Sequence, residues 1–207
     1  MALQTTVKIS NVTNLSDARY CAGMGVDLLG FAMDTHAPNY VDPVKFAAIR
    51  SWVAGVQIVG ETTSTDPEQI DTLLRTYEPD LLQVDEAAML PHLSQLGRPL
   101  ILRVNLSQLT LDQLDTLLAT THASVEYFLL ESPAPVHLDD DLRARLQRLA
   151  ARYPLLLGFG IGPGAVQTLL SELPTSGLAL TGGDETSPGN RDFGELMAVL
   201  EAIEVDG

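Results

Sequence analysis

The stretch GVQIVGETTSTDPEQIDTLLRTYEPDLLQV, residues 55–84, decides the fold. It opens with GVQIVG (55–60), a short β-branched run bounded by glycines, which predicts a strand. Asp66 stands where an N-cap belongs and Pro67 at the first helical position, ahead of the helical spacing of Ile70, Leu74 and Tyr77. DLLQV (80–84) then reads as a second strand. A strand, a crossover helix and a strand form a βαβ unit, and such units build parallel sheets.

The same alternation extends outward in both directions. VKIS (7–10) precedes LSDARYCAGMG, and DLLGFAM (27–33) precedes DPVKFAAIRSWV. Downstream, DLLQV precedes the short AAMLPHLSQL, PLILRV (99–104) precedes TLDQLDTLLATT, and VEYFLL (125–130) precedes DDDLRARLQRLAARY. PLLLGFG (154–160) precedes GAVQTLLSEL, and GLALTG (177–182) precedes RDFGELMAVLEAI. Ser16, Asp42 and Asp139 fit as further N-caps, and Pro43 as a first helical residue. The strand runs lack strict alternation, as expected of strands covered on both faces. Eight strand–helix units in one chain predict an α/β fold, a closed (β/α)8 TIM barrel forming a single domain over residues 1–207. An open doubly wound sheet is the competing arrangement.

Composition bounds the partners. The 207 residues carry 27 acidic against 12 basic side chains, a formal net charge of −15. That field repels nucleic acid and anionic membrane, which leaves a small molecule bound in a local pocket. No run approaches the ~18 apolar residues of a membrane span. Cys21 is the sole cysteine, so no internal disulfide exists, and a reducing, cytoplasmic setting is expected. In its setting YCAGMG it reads as a small buried hydrophobe. A monomer and a homodimer both fit.

A barrel places chemistry at the C-terminal ends of its strands. The glycines of GFGIGPG (158–164) and of TGGDETSPGNRD (181–192) follow the seventh and eighth strands and run toward helices. Glycine lets backbone N–H groups approach an anion, so Gly160, Gly162, Gly182 and Gly183 are candidates for seating the phosphate of a small phosphorylated metabolite. Ordinary tight turns are the alternative, and a dinucleotide fingerprint on Gly160, Gly162 and Ala165 has too little chain after it. Arg103 either clamps an anion or pairs with Asp85 or Glu131. His36, His92, His122 and His137 share no metal-ligand spacing; neither a metal nor another cofactor is expected.

In order along the chain, these residues resemble the phosphoribosylanthranilate isomerase family of tryptophan biosynthesis. The family's K-I-C-G-x-T reads Lys8-Ile9-Ser10-Asn11-Val12-Thr13; its DA, GAD and GF match Asp17-Ala18, Gly25-Val26-Asp27 and Gly30-Phe31. Its S-P-R-x-V corresponds to Ala37-Pro38-Asn39-Tyr40-Val41, its V-Q-L-H-G-D-E to Leu82-Gln83-Val84-Asp85 and then Glu86, and its L-L-D to Leu129-Leu130-Glu131. Its closing S-G-V-E-x-x-P-G-x-K-D is echoed by residues 182–192.

The resemblance implies a TIM barrel and an Amadori isomerisation of an aminoaldose to an aminoketose. It implies a cysteine base where Ser10 stands and an aspartic acid where Glu131 stands. It also implies an arginine facing the anthranilate carboxylate where Asn39 stands, and a histidine where Asp85 stands. The family's G-G-T-G after strand 6 is replaced by residues 132–137, SPAPVH. A serine needs a base of its own, and no histidine falls at a predicted strand end to supply one. Glu131 is therefore the candidate for proton transfer, Asp85 a substitute base, Ser10 a polar contact, and Asn39 and Arg103 substrate-binding positions. These substitutions predict loss of the family's own reaction on a retained isomerase-like barrel. The alternative is a non-catalytic or repurposed barrel that binds a phosphorylated metabolite or a protein partner.

Overall fold

The computed structural model describes residues 2–181, 185–187, 190–191 and 194–205. Eight parallel strands close a barrel in sequence order: β1 (Thr6–Ser10), β2 (Leu28–Ala32), β3 (Gln57–Glu61), β4 (Leu81–Val84), β5 (Leu100–Asn105), β6 (Tyr127–Glu131), β7 (Leu155–Leu157) and β8 (Gly177–Thr181). β8 returns to β1 with Ser10 opposite Thr181. The helices that follow them are α1 (Leu15–Gly23), α2 (Pro43–Arg50), α3 (Pro67–Tyr77), α4 (Leu90–Leu93), α5 (Leu111–Thr121), α6 (Asp140–Ala150), α7 (Val166–Glu172) and α8 (Gly194–Ala202). Ala2–Leu3 pairs antiparallel with Glu204–Val205. Glu185–Ser187 pairs with Asn190–Arg191. The expected closed barrel is thus the fold, and the open sheet is excluded. Among the described residues, no helix is long and apolar enough to cross a membrane.

Local chemistry explains the boundaries. Asp42, Asp66 and Asp139 cap α2, α3 and α6 by accepting from backbone N–H groups of the first turn. Ser16 does not cap α1; Asn14 does, its side chain accepting from Asp17 N, so the helix starts two residues earlier. β7 stops at Leu157, short of the expected 160, because Gly160 takes a φ of 68° that turns the chain out of the sheet. α7 starts at Val166, where the Gly162 carbonyl accepts from both Ala165 N and Val166 N.

The strands are apolar on both faces because each face has its own core. Leu29, Phe31, Ile58, Leu82, Leu102 and Leu130 point outward under the helices. Leu28, Val59, Leu81, Ile101, Leu129, Leu156 and Ala179 point inward and fill the barrel as a separate cluster. Each such valine, leucine, isoleucine or phenylalanine contributes roughly 1.5–3 kcal/mol when fully buried. Lys8 lies between Leu28 and Ala179 in register and is fully buried, so a charge sits among these apolar inner residues. Cys21 is buried as expected; burial, then the charge of Asp17, pushes its thiol up to about 12.

Candidate active site

β1 brings the first part of the site. Lys8 and Ser10 are two residues apart, so both side chains enter the barrel from the same strand face. Lys8 Nζ donates to Ser10 Oγ at 2.6 Å and to Glu61 Oε1 at 2.5 Å. Burying a lysine requires such pairing. Glu61 ends β3 and is 11% exposed, while the lysine side chain is fully covered. Gly30 on β2 makes the pair possible, since a Cβ there would overlap the Glu61 carboxylate. After Ser10, Asn11 adopts a left-handed φ of 58°, which asparagine tolerates better than most side chains; the resembling family places glycine there.

β4, β5 and β6 bring the second part. Arg103 on β5 grips Asp85, Nε to Oδ1 at 2.9 Å and Nη2 to Oδ2 at 2.5 Å. Its Nη1 stands 3.8 Å from Glu131 Oε2. Of the two readings of Arg103, the geometry shows the ion pair. Glu131 ends β6 and has room for its extra methylene because residue 158 is glycine: a Cβ there would come within 2.7 Å of Glu131 Cγ. Burial pushes the Glu131 pKa above the ordinary glutamate value; Arg103 and Lys8 pull it down, Glu61 and Asp85 push it up, and the net shift is upward.

Asp85, Arg103 and Glu131 line one cavity of about 600 Å³ at the C-terminal mouth, together with Asn105, Gln108 and Thr181. Ser10 sits beside the lining residue Thr181 in register and is only 5% exposed; it is not itself among the cavity's lining residues. Asn39 is not among the cavity's lining residues; it lies on the loop between β2 and α2. That loop is fastened by buried Asp34, which accepts from Thr62 Oγ1, Thr63 N and Thr63 Oγ1. Gly160 and Gly162 lie on the turn between β7 and α7, while Gly182 and Gly183 lie outside the described residues.

No family model matches the chain. It is 29% identical over 213 residues to the N-(5'-phosphoribosyl)anthranilate isomerase of Synechococcus sp. (strain JA-2-3B'a(2-13)), covering 97% of this chain and 91% of that one. Along nearly its whole length the chain is similar to phosphoribosylanthranilate isomerases. In three dimensions it superposes on the phosphoribosylanthranilate isomerase of Thermotoga maritima with a TM-score of 0.79 at 21% identity, covering 96% and 98% of the two chains. A phosphoribosylanthranilate isomerase in complex with reduced 1-(o-carboxyphenylamino)-1-deoxyribulose 5-phosphate gives a TM-score of 0.78 at 19% identity, covering 96% and 98%.

The residues that sequence reasoning missed are Lys8 as a site residue and Glu61 altogether. Lys8 carries a readable signal, a lone charge at an inward position of an apolar strand, two residues before Ser10. Glu61 carries none, because its pairing with Lys8 spans 53 positions of sequence.

Proposed function

We propose that this isomerase-like barrel binds a phosphorylated metabolite at its C-terminal mouth and does not perform the family's Amadori isomerisation at a useful rate. The observation that carries the reading is the hydrogen bond from Lys8 Nζ to Ser10 Oγ at 2.6 Å. A base must offer a lone pair to a substrate C–H. Ser10 offers its lone pair to an ammonium instead, and that ammonium is itself paired with Glu61. Asp85 is no better placed, since both its oxygens accept from Arg103. Among the described residues, the base half of an acid–base pair is therefore lacking.

The acid half is retained. A carboxyl whose pKa is raised by burial keeps its proton closer to neutrality and suits proton donation. Glu131 fills that role by position, one methylene longer than the family's aspartate. Asn39 supplies no charge toward a carboxylate, and Arg103 is committed to Asp85. Gly160 and Gly162, together with Gly182 and Gly183 of the sequence, are the proposed phosphate seat.

The test is an amide chemical-shift titration with ribose 5-phosphate. Shifts at residues 158–164, saturating with sugar phosphate and reversed by inorganic phosphate, are expected. No shift at millimolar ligand, or shifts confined to the opposite face of the barrel, contradicts the reading.

A further inference from the structure

Beside the polar cavity lies a second, apolar one of about 270 Å³. Leu106, Leu109, Leu114, Val136 and Leu142 line it. For scale, an apolar cavity of about 150 Å³ holds a benzene ring. The same two segments wall both spaces. On the turn after β5, Asn105 and Gln108 face the polar cavity, while Leu106 and Leu109 face the apolar one. Asn105 fixes that turn by accepting from Ser107 N at 3.0 Å and from Ser107 Oγ at 2.7 Å. After β6, Ser132 and Pro133 border the polar cavity, and Ser132, Ala134 and Pro135 the apolar one. Ser132 lines both, so the two spaces adjoin, the apolar one reaching from the β5 and β6 loops to Leu114 of α5 and Leu142 of α6.

The charges of the polar compartment restrict what can reach across. Among the described residues, Asp85, Glu86 and Glu131 line it against one cation, Arg103, which Asp85 already engages. A carboxylate crossing that space meets net negative charge, whereas an uncharged apolar group crosses without that penalty.

We infer that the mouth's ligand is a sugar phosphate bearing an uncharged alkyl or aryl substituent, and that this substituent occupies the apolar compartment between the β5 and β6 loops. The inference rests on the reading that the mouth binds a sugar phosphate, and it adds the class of the attached group. It also assigns a specificity role to the segment 132–136, which stands where the resembling family has a glycine-rich loop.

Isothermal titration with three probes tests it: ribitol 5-phosphate, its 1-phenylamino derivative, and its 1-(2-carboxyphenylamino) derivative. The phenylamino compound is expected to bind about tenfold or more tighter than ribitol 5-phosphate, the scale of removing a ring from water. The carboxylated compound should bind more weakly than the phenylamino one. Leu109→Asn and Ala134→Gln, both neutral and on the apolar wall, should each erase most of the phenyl gain while leaving ribitol 5-phosphate affinity unchanged. The inference alone falls if ribitol 5-phosphate binds and the phenyl group adds nothing. It falls equally if the gain survives both substitutions, or if the carboxylated probe binds tightest. If none of the three probes binds, the metabolite-binding reading falls with it.

Discussion

Replacing Ser10 with cysteine should create a thiolate at neutral pH, because the cation needed to hold one is already in place. Lys8 Nζ lies 2.6 Å from the side-chain oxygen at position 10. At an effective dielectric constant of about 20, a unit charge at that distance favours the anion by about 6 kcal/mol. Glu61, 2.5 Å beyond the ammonium, stands no more than about 5 Å from the new sulfur and takes back at least about 3 kcal/mol. The site is 5% exposed, and desolvation removes much of what remains. The balance is a depression of about one pKa unit from the reference of about 8.5. Thiolate absorbance near 240 nm, titrated against wild type, measures it directly. Cys21 does not interfere, since its thiol is pushed up to about 12. A midpoint near or below about 7.5 is expected. A midpoint at or above about 8.5 would show that burial and Glu61 outweigh Lys8, and would refute the view that position 10 keeps a seat for an anion.

Three further outcomes follow from the same geometry. Lys8→Met strands Glu61, 11% exposed, without its partner, and should cost about 3–5 kcal/mol in urea unfolding; adding Glu61→Gln should recover most of it. Gly30→Ala drives a methyl into the Glu61 carboxylate and should destabilise by about 1–3 kcal/mol, again read in urea. The raised pKa of Glu131 means that its contribution to stability is fully present below the unfolded value and is lost as pH rises through the folded one. Glu131→Gln should therefore raise Tm relative to wild type more at pH 8 than at pH 4 by scanning fluorimetry; a gain confined to acid pH would contradict the direction of the shift.

The barrel was legible because its signals are local. Asp66 and Pro67 start a helix by their own chemistry, and GVQIVG or DLLGFAM reads as buried on both faces without reference to any partner. The N-cap of α1 was misplaced by two residues because Asn14 and Ser16 are both competent caps, and only the backbone decides between them. The site was legible by position and not by pairing. Asp85, Arg103 and Glu131 line one cavity and Ser10 ends a neighbouring strand beside Thr181, since barrel topology delivers strand ends to one place. That Arg103 serves Asp85, or that Lys8 serves Ser10 and Glu61, depends on rotamers and on the absence of a Cβ at Gly30 and Gly158. Such contacts join strands far apart in sequence and leave no periodic trace.

The proposal that position 10 no longer accepts a proton is tested most directly by the fluorescence-monitored turnover of phosphoribosylanthranilate. Wild type is expected to remain at the uncatalysed background, and Ser10→Cys combined with Glu131→Asp and Asn39→Arg to rise above it by about 10²-fold or more. Ordinary turnover by wild type would contradict the account, as would a folded, ligand-binding triple variant no faster than background.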